Sequence, residues 1–247
     1  MTEWRPELLL LSVLLGVIYF LLLSEFVAQR VGWARRAAFV LALMVLYAAA
    51  GPLAPWAQQR LFTAYVGDML LLTFVLPWLL IAGVPVVLVE RAATVQWVAR
   101  LIHFATRPII ALVVFNALVT ATLLPPVLKW NLTLNGFHAL LQNLLMLSAV
   151  CFWAPMVPRC GASGSMGRGM QLLYIIYSSN FMMPIIVWLF LGDARYPAFS
   201  RPTTVCAGDA TADLQTGGAL MLVTMYLTYG YLAVRLFRRS DESVWYE

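Results

Sequence analysis

Charge is what this sequence has least of. Among 247 residues there are 16 Lys or Arg and 11 Asp or Glu, so 11% are charged while 62% are hydrophobic, against about 25% charged and 45–50% apolar in ordinary soluble domains. That shortage excludes a water-soluble fold, because a chain of this size has no interior large enough to hide so much apolar surface. Histidine is scarcer still, with His103 and His138 the whole supply. An HExxH metal site is excluded, and no Ser/His/Asp set with a motif is present, so the chain does not read as an enzyme. The three cysteines, Cys151, Cys160 and Cys206, fall at different levels of the topology derived below and offer no obvious disulfide. Phosphate-loop spacing is absent from the Gly- and Ser-rich stretch Arg159 to Gly169, which reads as a flexible connection. No internal repeat is apparent.

What is present is a series of long apolar runs. In lipid the backbone has no hydrogen-bonding solvent, so a run of about 20 apolar residues must satisfy itself as a helix. Seven runs qualify: Leu8 to Val27, Ala37 to Leu53, Thr63 to Val89, Pro108 to Leu128, Phe137 to Val157, Gln171 to Leu191 and Gly217 to Phe237. The expected fold is an all-α membrane protein, a single domain over residues 1–247 built as a seven-helix bundle. The third run is long enough to tilt or to break at Pro77 or Gly83. The first is expected to stay in the mature protein: Glu3 and Glu7 occupy the flank that a signal peptide makes basic, and no small-x-small cleavage site follows.

Orientation follows from the basic residues. Arg30, Arg35, Arg36, Arg91, Arg100, Arg107, Arg159, Arg168, Arg235, Arg238 and Arg239 share one side; Arg5, Arg60, Lys129, Arg195 and Arg201 share the other. The richer side belongs in the cytoplasm, which puts the N-terminus outside and the C-terminus inside. The net charge of +5 then expresses topology and contact with anionic membrane lipid, not nucleic-acid binding. The connection from Gly192 to Gly218 is the one outer piece large enough to form a cap. Asn131-Leu132-Thr133 matches a glycosylation sequon, a match that chance readily produces. Trp4, Trp33, Trp56, Trp130, Trp153, Tyr196 and Trp245 cluster near the borders of the runs, as interfacial anchors do.

Polar residues inside a membrane are costly, so each one raises a functional question. Asp68 stands in the third run, with Tyr65 and Met69 on the same side of that helix. His138, Gln142 and Met146 form an i, i+4, i+8 stripe in the fifth run, beside Asn143, and Met221 and Met225 pair in the seventh, after Asp213. The derived topology puts these groups in the outer leaflet. Imidazole and thioether suit Cu(I), so His138 with one or two of Met69, Met146, Met221 and Met225 is a candidate copper site. The plain alternative is adaptable methionine packing with hydrogen bonds across helices. Asn116 and Asn180 read as interhelical hydrogen-bonding residues. Pro77, Pro184 and the Pro125-Pro126 pair each free a carbonyl that must find a partner.

Several segments, in order, resemble one family. "FVLPWLLIAGVP" (Phe74 to Pro85), "FNALVTATLLPP" (Phe115 to Pro126), "FHALLQNLLMLSAVCFWAPMVP" (Phe137 to Pro158), "LFLGDARYPAF" (Leu189 to Phe199) and "DLQTGGALM" (Asp213 to Met221) are similar to stretches of the polytopic CtaG family, the seven-helix cytochrome c oxidase assembly factors. The resemblance covers nearly the whole chain after the second run. It implies a multi-pass protein of the bacterial plasma membrane that helps build a haem-copper oxidase by assisting copper insertion into one of its subunits. Where the family carries histidines this chain has Tyr65, Asp68, Leu123 and Gln142, while His138, Asp213 and Gly218 are kept. A carboxylate and an amide replace imidazole poorly around copper, which shifts weight from metal handling to protein contacts. The alternative reading is a cofactor-free accessory subunit that stays bound to a respiratory or related membrane complex. A transporter ranks below both, since no inverted repeat or paired broken helices appear.

Overall fold

The computed structural model describes residues 13–21, 32–49, 51, 61–92, 94–156, 166–191, 199 and 210–244. Among them every regular element is helical: α1 (13–21), α2 (Trp33–Ala48), α3 (Phe62–Leu70), a π-helical turn (Leu71–Val75), α4 (Leu76–Gly83), α5 (Val86–Ala92), α6 (Gln96–Ala105), α7 (Pro108–Leu123), α8 (Pro125–Thr133), α9 (Asn135–Trp153) with a 3₁₀ turn (Ala154–Met156), α10 (Arg168–Leu191) and α11 (Ala210–Val244). Four stretches are long and apolar enough to cross a membrane: Phe62–Gly83, Gly136–Met156, Arg168–Leu191 and Ala210–Arg238. A fifth arises if α6 and α7, bent by 69° at their junction, count as one span. The first two expected runs lie partly outside the described residues.

Proline chemistry sets most of the boundaries. A residue before proline is pushed out of the α region, and Arg107 (ψ 123°) before Pro108 and Leu124 (ψ 135°) before Pro125 are both extended. The fourth run, expected to continue from Pro108 to Leu128, therefore stops at Leu123, and Pro125-Pro126 open α8 in the first-turn positions where a missing N–H costs nothing. The third run ends at Gly83, with Val84 extended before Pro85. Pro77 is absorbed without a break, by the π-helical turn that precedes it. The seventh run starts at Ala210, ahead of the expected Gly217, with Asp213 inside its first turn. Pro184 sits within an unbroken α10.

Lacking an N–H, Pro77 cannot bond the carbonyl four residues back, that of Thr73. Trp153 Nε1 donates to that oxygen at 2.8 Å. This indole, expected at a membrane border, is instead fully buried at 0% exposure, and its neighbours Phe74, Phe152 and Tyr229 have ring centroids 4.9–5.9 Å away. Trp153→Phe keeps most of the packing but orphans the Thr73 carbonyl. We expect a loss of about 1–2 kcal/mol, read as a lower melting temperature in detergent, and no further loss when Pro77→Ala restores the helix's own donor.

Contacts between elements close the spans into a ring. The segment α3–α4 packs on α9, α9 on α7, α7 on α10, α10 on α11, and α11 back on α3, with α2 against the outside of α4. Phe74, Phe115, Phe152 and Trp153 fill the centre. Hydrogen bonds fix the relative directions. Asp213 meets Phe62 and Gln142 meets Asp68, and Trp153 meets Thr73, so α3, α9 and α11 run parallel. Tyr174 with Phe152, and Ser178 with Tyr229, make α10 antiparallel to them.

Candidate functional site

Three of the parallel helices begin at one end of the bundle, and the polar residues singled out from sequence gather there. Asn131, near the end of α8, donates from Nδ2 to the Tyr65 hydroxyl at 3.0 Å. Its Oδ1 lies 3.0 Å from His138 Nδ1. An amide oxygen can only accept, so His138 carries its proton on Nδ1 in this arrangement. One turn deeper, Gln142 Nε2 donates to Asp68 Oδ2 at a long 3.3 Å. Tyr65 and Asp68 are i, i+3 on α3, and His138 and Gln142 are i, i+4 on α9, so the two helices are joined by two polar rungs. Phe199 covers this end, its ring centroid 5.6 Å from that of Phe62 and 6.2 Å from that of Tyr65.

The same end is tied to α11. Leu61, the N-cap of α3, offers no capping side chain, and the first amides of a helix have no partner within it. Asp213 supplies one from another span: Oδ2 accepts from Phe62 N at 2.6 Å and Oδ1 from Thr63 N at 3.1 Å and from Thr63 Oγ1 at 2.6 Å. Negative charge at a helix N-terminus is favourable by the helix dipole as well. One turn on, Gly217 lets α11 approach so closely that a Cβ there would lie 2.7 Å from the Phe62 ring.

Deeper between α3 and α11 is an open cleft of about 390 Å³ lined by Ala64, Gly67, Asp68, Leu71, Leu220 and Thr224, among others. Asp68 is 7% exposed, and its Oδ1 is buried with no hydrogen-bond partner. A membrane interior offers no water to relieve that, so the group is held at a cost.

The proposed copper donors divide. Met69, Met221 and Met225 are buried in the main core, at 4%, 1% and 0% exposure. Met146 packs instead with Ala42, Leu72 and Leu76 on the α2 side, so one ion could not draw on all four thioethers. Among the described residues no group of three His, Cys, Asp or Glu could hold a metal. Met146 therefore stands apart from Met69, Met221 and Met225, which share one cluster.

The remaining polar residues sort by partner. Asn116 bridges helices as expected, its amide lying 3.3 Å from Ser178 Oγ, which lies 2.8 Å from the Tyr229 hydroxyl. Asn180 does not: it is exposed and bonds the carbonyl of Ile176 on its own helix. Asn143 does the same with Ala139. Reading the sequence missed Asn131, which it set aside within a chance sequon; the side chain is 4% exposed and fully engaged. The usable signal was its place seven residues before His138, across the extended Leu134 that separates α8 from α9. Ser178 and Tyr229 carried no signal that set them apart from ordinary span residues.

Compared with known families, residues 17–242 match the model described as cytochrome c oxidase caa3 assembly factor. No curated protein and no solved structure matches the chain.

Proposed function

Since the chain belongs to the cytochrome c oxidase caa3 assembly factor family, we propose that it serves oxidase maturation through protein contacts made inside the membrane rather than through a histidine-rich copper site. The observation that carries this reading is the pairing of the polar side chains. At three positions where the family resemblance places histidine, Tyr65, Asp68 and Gln142 bond to Asn131 or to each other and knit α3, α8 and α9 together. His138, the retained histidine, is held in the same network. Copper in this reading is cargo handled elsewhere in the pathway, and the role is non-catalytic.

The proposed setting is the bacterial plasma membrane, with seven spans, the N-terminus outside and the C-terminus in the cytoplasm. The uneven distribution of basic residues supports that orientation, and the parallel run of α3, α9 and α11 is what alternating spans give in either orientation. The polar end of the bundle then lies in the outer leaflet. A permanently bound accessory subunit is the less favoured reading, because the family is one of assembly factors.

Two measurements test this. Protein purified under reducing conditions should carry copper far below one equivalent by mass spectrometry, with no change in His138→Ala; near-stoichiometric metal that disappears in that variant overturns the protein-contact reading. Native electrophoresis after mild solubilisation should show an oxidase subunit captured in substoichiometric amounts and only while the oxidase is being built. A stable complex present at every stage would make the chain an accessory subunit instead.

A further inference from the structure

Asp68 is placed where neither folding nor its neighbours satisfy it. The side chain is 7% exposed, Oδ2 takes the 3.3 Å bond from Gln142, and Oδ1 has no partner. Protonation would remove the charge but would still leave Oδ1 without a partner. Beyond the one long bond from Gln142 the carboxyl group gains nothing from the fold, and an unsatisfied polar group retained in a span points to use.

The residue lines the cleft between α3 and α11, and the cleft has the form of a helix seat. Ala64, Gly67, Asp68, Leu71 and Val75 fall at i, i+3, i+4, i+7 and i+11, one face of a continuous helical stretch. Gly67 brings the floor down to the backbone, the nearest atom to a Cβ there being Leu220 Cδ2 at 3.8 Å. Small residues of this kind let a second helix come close within lipid. The rims are apolar and turned outward, Val75 at 40% exposure and Leu220 at 36%. The ring of spans is closed behind them, so the cleft opens away from the centre of the bundle.

We propose that this cleft receives a transmembrane helix of the oxidase subunit under assembly, which presents a hydrogen-bond donor to Asp68. The inference rests on the assembly-factor reading and names where the partner sits. A lipid tail would match the walls but leave the carboxyl group unsatisfied. A bare metal cation finds one carboxyl among apolar side chains, too few oxygens to replace its hydration shell.

The test places a photo-crosslinking amino acid at Val75, at Leu220 and, as a control, at Val113, which is 46% exposed on α7 across the ring, in cells that co-express the oxidase membrane subunits. Adducts with an oxidase subunit are expected from positions 75 and 220 and not from 113. Asp68→Leu should lower their yield about tenfold, the weight of one hydrogen bond to a charged group, while Asp68→Asn, which keeps an acceptor, retains most of it. Asp68→Leu forfeits the rung from Gln142 and should melt somewhat lower than the parent protein, whereas Asp68→Asn, which keeps that bond, should melt like it, so yields are compared at equal amounts of folded protein. Gly67→Leu, which fills the floor and leaves the carboxyl group in place, should cause the same loss and covers the case in which Asp68→Leu accumulates poorly. Adducts only with lipid or with a second copy, yields in Asp68→Leu and Gly67→Leu equal to that of the parent protein, or adducts from 113 alone overturn the proposal while captured oxidase leaves the assembly role intact. Absence of any oxidase subunit from both adducts and pull-down overturns both.

Discussion

Replacing Gly83 by valine is expected to lower the melting temperature in detergent by roughly 6–12 °C, corresponding to about 3 kcal/mol of overpacking in a chain of this size. Gly83 closes α4 where α2 crosses it, and a Cβ there would lie 2.8 Å from Phe39 N and Cβ and 2.9 Å from its Cα. Two of those atoms are backbone, so no rotamer change relieves the clash and α2 must move away from α4. Moving it also disturbs the 2.6 Å hydrogen bond from the Tyr19 hydroxyl to the Gly83 carbonyl and the stacked Tyr19–Phe39 pair, whose centroids are 3.7 Å apart. Trimming Phe39 to alanine in the valine background should therefore restore little, a result that separates backbone contact from side-chain crowding. Full recovery in that double variant, or an unchanged melting temperature in the single one, would refute the account. Because Gly83 lies fifteen residues along the span from Asp68, roughly 22 Å, the surviving folded protein should still capture its partner.

Asp213→Ala is the second large loss, at about 2–3 kcal/mol. It removes an N-terminal cap, worth about 1 kcal/mol on average and up to about 2, together with the charge-assisted bond to Thr63 Oγ1. The amides of Phe62 and Thr63 are then left at a helix end with no partner from their own chain segment. Asp213→Asn, which retains one accepting oxygen, should lose about half as much. Leu61 already has the extended conformation of an N-cap, φ −137° and ψ 132°, so adding Leu61→Asp to Asp213→Ala should recover the capping share. It should not recover the tie between α3 and α11. Thermal melts of the three variants give the comparison, and equal stability of Asp213→Ala and the parent protein would show that the contact contributes nothing.

The chemistry of the site was only half visible along the chain. His138, Gln142, Asp68 and Tyr65 stood out because polar side chains are rare in apolar runs, and the structure does bring them to one end. Their partners were less accessible. Asn131 sits in a short helix that two prolines set apart from the span before it, so its proximity to both Tyr65 and His138 depends on how α8 folds back. Met146 shares a helical stripe with His138, yet eight residues carry it far enough down α9 to face α2, whereas Met69, Met221 and Met225 turn into the core. Helical spacing reports which residues share a face; it does not report what that face meets.

Sequence alone determined the solvent and the local conformation. Apolar runs with few charges leave the backbone no option except helix in lipid, and residues before proline set the breaks at Arg107, Leu124 and Val84 whatever surrounds them. The tertiary structure alone decided which helix end Asp213 caps, which carbonyl Trp153 satisfies, and that Asp68 keeps one oxygen without a partner. Those are properties of juxtaposition between residues 74 to 151 positions apart, and in a bilayer, where apolar faces are interchangeable, it is close packing and the pairing of a few polar groups that select one juxtaposition from the many the runs would allow.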